Sequence, residues 1–443
     1  MKFYLESLGC PKNLVDAEGM ARLLKCLGHF PVDDPNEAQV LIVNTCGFIE
    51  DAREESLGEL RQLAQGKRSD QVLIAAGCLS QRWGEALAET VPGLDGLLGT
   101  RRWNQIGALV RELQHDGAQR PRSLLSNQGD PILAAGGDGP RVARQGAMAY
   151  LKVADGCSAP CAFCAIPLIK GPAVSRPAGA VVEDAVALTR QGIKEIILIA
   201  QDTTAYGRDW GERDALPDLI RAILDAAPAL HWLRLMYAYP GHVSPRLTEI
   251  MANDPRVCHY LDLPLQHAHP GVLRRMNRPA RVDRTRRLIA GLRAAMPDVA
   301  LRTSFIVGYP GETEVEFQAL LDFVEESCFD RVGVFLYSPE EGTAAAALSD
   351  PVPGEVKAER HDRLMALQQG ISLEINQAQV GRTLDVLIEG RGDDLAVGRS
   401  YRDAPEIDGL VLLPGDVAVG DVVPVHISAA MEYDLIGEVR RGS

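Results

Sequence analysis

Asp155-Gly156-Cys157-Ser158-Ala159-Pro160-Cys161-Ala162-Phe163-Cys164 follows directly on a strand-like run, Ala149 to Ala154. Its three cysteines are separated by three and then two residues, close enough for their thiolates to meet on one metal centre. Soft sulfur selects zinc or an iron–sulfur cluster over hard cations. Closed structural zinc wants a fourth Cys or His, and this loop holds none. Three ligands to a four-iron cluster would leave one iron open. The loop therefore points to a cluster, with zinc as the alternative.

Around this loop, residues 146–370 repeat strand then helix. Strands are expected at Ala149–Ala154, Glu195–Ala200, Trp232–Ala238, His259–Leu263, Ala300–Val307 and Arg331–Leu336, with helical patterns such as Val182–Gln191, Leu216–Ala227, Pro245–Asn253 and Glu314–Glu326 between them. Six such units predict a partial (β/α) barrel, whose working face is the C-terminal end of its strands. The cysteine loop, Gln201-Asp202-Thr203-Thr204-Ala205-Tyr206-Gly207, Pro264-Leu265-Gln266-His267 and Gly308-Tyr309-Pro310-Gly311-Glu312 all end strands, so all should face one cavity. His267 and His269 read as polar loop residues. Cys258 and Cys328 read as core. The arginines at 274, 275, 278, 281, 284, 286 and 287 read as a solvated helix face that could also meet an acidic group.

Residues 1–115 alternate in the same way. Strands at Lys2–Leu8, Val40–Asn44 and Gln71–Ala75 precede helices at Asn13–Leu27, Glu50–Gln65 and from Arg82 onward, which predicts a doubly wound parallel sheet. A cysteine follows each strand: Cys10, Cys46 and Cys78. Ligands of open α/β sheets sit at the carboxyl ends of the strands. These three cysteines should therefore converge on one edge as a second cluster site, with Gly9, Gly47 and Gly77 allowing tight turns beside it. Cys26, mid-helix, reads as core. From 116 to 145 the pattern fades into polar, glycine-rich sequence, a linker.

Pro353 to Val380 reads as one long helix. After it come the short strands Leu384–Glu389, Leu410–Leu413, Val422–Ile427 and Asp434–Val439, which suit a small antiparallel β-barrel of OB-like type within 371–443. From Ser372 onward the chain holds thirteen acidic and six basic residues and no lysine, a net of −7 and half of the chain's −14. That charge argues against an electrostatic footprint for nucleic acid and suits a cationic protein partner. No apolar run is long enough to span a bilayer and the start has no signal-peptide pattern, so the expected location is the cytoplasm. Nine cysteines in a chain of 443 residues suit metal chemistry in a reducing compartment.

Cys157-x3-Cys161-x2-Cys164, with Phe163 before the last cysteine, resembles the radical S-adenosylmethionine signature. The three earlier cysteines and the acidic terminal barrel resemble the methylthiotransferase family, whose tail is a TRAM domain. Gln201–Gly207, Ser175-Arg176-Pro177 and Asp403-Ala404-Pro405-Glu406-Ile407-Asp408-Gly409 resemble its ribosomal-protein branch more than its tRNA branch. A proline in Lys170-Gly171-Pro172 is a small departure from the family pattern and is expected to touch no ligand position.

The resemblance implies a 4Fe–4S cluster on Cys157, Cys161 and Cys164 and a second on Cys10, Cys46 and Cys78. S-adenosylmethionine would serve as radical source and methyl donor. The product would be a methylthio group on the β-carbon of an aspartate in the twelfth small-subunit ribosomal protein, a basic protein. By position, Phe163 would pack on the adenine and Gln201 would line the cofactor cavity. An electron donor and a sulfur donor are implied as partners, and the two cysteine faces must oppose each other. The rivals are a tRNA adenosine methylthiotransferase and a non-catalytic zinc-bearing scaffold.

Overall fold

Runs of β-branched and aliphatic residues between amphipathic helices build two parallel sheets. A computed structural model describes residues 1–114, 121–126 and 139–440. In the first sheet the strands are β1 (Lys2–Ser7), β2 (Phe30–Pro31), β3 (Val40–Thr45), β4 (Val72–Gly77), β5 (Gly96–Gly99) and β6 (Arg122–Leu124). They lie in the order β2-β1-β3-β4-β5-β6, all parallel. Val40–Thr45 is buried throughout, as a strand covered by helices on both faces must be. Helices Pro11–Cys26 and Ile106–Leu113 close one face over Phe3, Ile42, Ile74 and Leu98. Helix Glu50–Gly66 closes the other with Leu57, Leu60 and Leu63.

The second sheet comprises β7 (Val142–Gln145), β8 (Met148–Lys152), β11 (Glu195–Ile199), β12 (Trp232–Leu235), β13 (Val257–Asp262), β14 (Ala300–Val307) and β15 (Arg331–Leu336). Six of these strands are parallel, as expected, and β7 adds an antiparallel edge. A small ladder of β9 (Ala154–Asp155) and β10 (Val174–Ser175) ties down the ends of the cysteine loop. Of the stretch expected as a linker, 116–120 and 127–138 lie outside the described residues. Arg122–Leu124 and Val142–Gln145 within it are edge strands of the two sheets. Both are too short for periodicity to reveal.

A 24-residue helix, Gly354–Gln377, runs unbroken from the second sheet into the last segment, across the 370/371 boundary. There β16 (Thr383–Gly392), β17 (Leu395–Ser400), β18 (Val411–Pro414), β19 (Val422–Ala430) and β20 (Leu435–Val439) close a five-stranded barrel. It is not wholly antiparallel, because β18 and β20 run parallel. The barrel seats against the N-terminal ends of the second sheet's strands. Leu387 and Ala404 pack there with Met148, Trp232, Tyr260 and Ala300.

The motif Asp403–Gly409 makes much of that seat. Asp403 pairs with Arg331 at 2.7 Å, and Asp408 accepts from the Tyr260 hydroxyl at 2.7 Å. Buried Glu195 joins Arg234 at 2.6 Å to Arg399 of the barrel at 2.7 Å. Cys258 is buried, as expected, but Cys26 and Cys328 are exposed. Both stand where helices end, Cys26 as a last residue and Cys328 as a left-handed cap with φ +46°, so neither reaches a core.

Candidate cluster-binding site

Adjacent parallel strands put the first cysteine set together. Ser7 pairs with Asn44 and Asn44 with Ala76, so β1, β3 and β4 end in one row and each cysteine follows within three residues. Strands about 4.8 Å apart carry the three cysteines along about 10 Å of one sheet edge. Cys46 and Cys78 are buried and Cys10 is partly so.

The glycines beside them are sterically required. A Cβ at Gly9 would sit 2.8 Å from that of Cys46, and one at Gly47 would sit 2.8 Å from the Leu79 backbone. Asn13 binds the loops together. Its amide donates to Leu8 O at 3.1 Å and Thr45 O at 3.0 Å, and its Oδ1 lies 3.5 Å from Cys78 Sγ.

Cys10 caps the helix that starts at Pro11, a position where proline loses no hydrogen bond and backbone N–H groups face an anion. Burial raises its thiol, but the Lys12 ammonium, the N–H groups of Asn13 and Lys12 and the Lys170 charge together bring it below the ordinary value. Burial also pushes Cys46 up to about 12 and raises Cys78. Cys46 feels both of the other thiols of this set, and Cys78 feels Cys10.

The second set lies in the loop after β8, where Cys157, Cys161 and Cys164 likewise influence one another. Gly156 adopts φ +72°, and a Cβ there would overlap the Pro172 carbonyl oxygen. Cys157 N donates to Gly171 O at 3.0 Å. Gly171 thus meets the Cys157 backbone while the departing Pro172 lies against Gly156, because β9 and β10 fold that segment back on the loop. Donors reach the sulfurs: Ala159 N to Cys157 at 3.4 Å and Arg278 Nη1 to Cys161 at 3.7 Å. Burial pushes Cys164 up to about 12.

Arg278 is thus taken out of the solvated arginine run, while Arg274, Arg281, Arg284 and Arg287 are exposed as expected. Phe163 packs, half-buried, against an apolar group of Ala162, Val272, Met276, Tyr309 and Tyr337. Gln201 is half-buried just beyond β11. Beside it Asp202 is held by Thr204 at 2.6 Å and His242 at 2.8 Å. His267 is buried beside Glu312 at 3.5 Å, and His269 caps helix Pro270–Arg275.

The two cysteine edges dock on each other. Cys78 packs with Ala165 and Ile169, on the helix directly after Cys164. Asp16, of helix Pro11–Cys26, lies buried among Arg141, Lys152 at 2.7 Å and Lys170 at 3.1 Å of the second body, which also surround Asp155. Lys170 further donates to Thr100 at 2.9 Å. Glu340, after β15, is clasped by Arg53 and by Arg82 at 2.6 Å. Sequence reasoning missed this ionic interface. Its only trace is charge at positions such as Lys152 and Asp16, inside otherwise apolar faces.

Three thiols per edge, with backbone and arginine donors aimed at sulfur, fit thiolate ligation of an iron–sulfur cluster. Among the described residues no three His, Cys, Asp or Glu side chains are set to hold a single metal ion. Cysteines that bind different irons of one cluster need not converge on a point, whereas zinc ligands must. Among the described residues no helix is long and apolar enough to cross a membrane.

Residues 151–324 match the Radical SAM superfamily, residues 380–439 a TRAM domain, and residues 2–99 an uncharacterized protein family, UPF0004. A radical S-adenosylmethionine methyltransferase, TsrM, from Kitasatospora setae, solved with tryptophan and a SAM analogue, shares the fold. It has a TM-score of 0.59 at 15% identity, covering 88% of this chain and 79% of that one. The chain is therefore a radical SAM enzyme carrying a TRAM barrel, a class that works with S-adenosylmethionine and 4Fe–4S chemistry.

Ribosomal protein uS12 methylthiotransferase RimO from Roseiflexus sp. (strain RS-1) is 50% identical over 459 residues, 99% of this chain and 97% of that protein. The protein of the same description from Chloroflexus aurantiacus is 50% identical over 454 residues, 99% of each chain. The chain belongs to the family of ribosomal protein uS12 methylthiotransferases.

Proposed function

We propose that this chain inserts a methylthio group at the β-carbon of an aspartate in ribosomal protein uS12, with one 4Fe–4S cluster on each cysteine set. The observation that carries this reading is that two three-cysteine sets, one along three parallel-strand ends and one in the loop after β8, meet across an interface with buried ion pairs. When bound, the clusters and S-adenosylmethionine supply the one-electron and sulfur-transfer chemistry that an unactivated C–H carbon demands and side-chain acids and bases cannot provide. Cys157, Cys161 and Cys164 hold one cluster, and Arg278 and the Ala159 N–H stabilise their thiolate charge. Cys10, Cys46 and Cys78 hold the other, braced by Asn13. Phe163 packs on the adenine and Gln201 lines the cavity.

The ionic contacts of Asp16 and Glu340 exclude water and keep the two edges in register. We take 1–115, 146–370 and 371–443 as the three working units, acting in the cytoplasm with an electron donor and a sulfur donor. On the barrel, Asp385, Asp393, Asp394, Asp416 and Asp421 are exposed, which suits a cationic substrate protein better than RNA.

Mass spectrometry of uS12 and of bulk tRNA from a deletion strain tests the substrate. The methylthio mass should vanish from uS12 alone; its loss only from tRNA would overturn the reading. Iron and acid-labile sulfide after anaerobic purification test the centres, and zinc without iron would favour a scaffold. Ala at 157, 161 or 164 should abolish S-adenosylmethionine cleavage. Ala at 10, 46 or 78 should spare cleavage and abolish sulfur insertion. Loss of cleavage in both sets would defeat this division of labour.

A further inference from the structure

Three lysines are buried where the two cysteine edges meet, and they are not treated alike. Lys152 and Lys170 each have carboxylates, Asp16 and Asp155. Lys12, 5% exposed, has neither an ion pair nor a hydrogen bond from its ammonium among the described residues. Its Nζ lies 3.1 Å over the ring of Tyr237.

Tyr237 stands at the C-terminal end of β12, on the face that carries the radical SAM loop, with φ +62°. This is a costly backbone for a bulky residue, and such strain gathers at ligand sites. The carboxylate on that side, Asp262, is already engaged. Arg302 Nη1 holds one oxygen at 2.9 Å and the Tyr237 N–H donates to the other at 3.1 Å. The other anionic group it feels is the Cys10 sulfur, which makes no hydrogen bond with it, and a buried ammonium with three donors is expensive to leave without a hydrogen-bonded anion. The ring face compensates only part of that cost and leaves donors free.

From this we infer that Lys12 is the carboxylate-binding residue of the substrate site, seating an acidic side chain between the two cysteine edges. The inference rests on the reading of the substrate as an aspartate of uS12. A neutral nucleobase offers this ammonium no charge, so Lys12 would also discriminate between substrate classes. Its place two residues after Cys10, in the first turn of helix Pro11–Cys26, would fix the acid at a set distance from the first cysteine edge.

The test is binding by the anaerobically reconstituted full-length enzyme with S-adenosylmethionine present, titrated with uS12 and with uS12 whose target aspartate is replaced by Asn. Iron content is measured on every variant. The wild-type enzyme should prefer the aspartate form by about tenfold or more, the size of a charge-assisted hydrogen bond. Lys12→Met should bind both forms equally with its iron intact, and Lys12→Arg should keep part of the preference. A full preference in Lys12→Met would overturn the inference. So would loss of iron in that variant, which would make Lys12 a counter-charge for the Cys10 sulfur. If the wild-type enzyme binds neither form, the substrate reading itself fails, a result distinct from either of these.

Discussion

Asp16→Asn should loosen the docking of the two cysteine edges. Asp16 is 2% exposed and shares Arg141, Lys152 and Lys170 with Asp155, so two carboxylates balance three cations. The amide keeps the shape and removes the charge, leaving one carboxylate for three cations in a buried site. Breaking a buried pair by removing one partner costs about 3–5 kcal/mol. Because Asp155 still reaches all three cations, the lower figure, about 3 kcal/mol, is expected here. That corresponds to about a hundredfold in the ratio of docked to undocked forms.

Hydrogen exchange on the anaerobic holoenzyme reads it directly. Backbone amides of 11–26 and 148–155 should lose protection, while those of the barrel strands should keep theirs. Asp16→Asn combined with Lys170→Met restores the charge balance and should recover part of the protection. Exchange in Asp16→Asn within about 0.5 kcal/mol of wild type would refute the reasoning, since that is the scale of an ordinary surface substitution.

Glu316 supplies a pH-dependent term. Burial raises its carboxyl, but Arg275 at 2.9 Å, the Thr313 N–H and the His269 charge hold it at about 2 against 4.5. A depressed carboxyl stabilises the fold above its unfolded pKa and loses that contribution as pH falls from about 4.5 to 2. Solvent screening through the partly exposed Arg275 leaves about 1 kcal/mol, so Glu316→Gln should flatten the acid limb of thermal stability across that window. An unchanged acid limb would refute this. Gly156→Ala would drive a Cβ into the Pro172 carbonyl at positive φ, so iron at the Cys157 set should fall to background while far-ultraviolet circular dichroism stays native. Full iron loading in that variant would show that the loop can relax.

Much of the fold is legible in the chain because its signals are local. Ala300–Val307 and Pro245–Asn253 match their expected bounds, since hydrophobic runs and flanking Pro, Gly and Asp act over a few residues. The very short strands β2, β6 and β7 are not legible. Their two to four residues carry too little periodicity, and partners distant in sequence hold them in place. The barrel strand β17 was likewise missed: in Leu395–Ser400 glycine and arginine stand at buried positions and obscure the strand pattern. Asp403–Gly409 shows the limit of motif reading. It points to the family, but its side chains serve to seat the barrel on Arg331 and Tyr260.

Spacing along the chain was enough to identify six cysteines in two sets and the strand ends that carry them, because ligand chemistry and βα periodicity are written residue by residue. Whether those sets face each other depends on tertiary structure. Asp16 meets Lys170 across 154 positions, and Glu340 meets Arg82 across 258. Burial turns such distant charges into partners, and it leaves Lys12 without a carboxylate of its own. No local pattern encodes either result, because each depends on which surfaces lose their water when the two sheets dock.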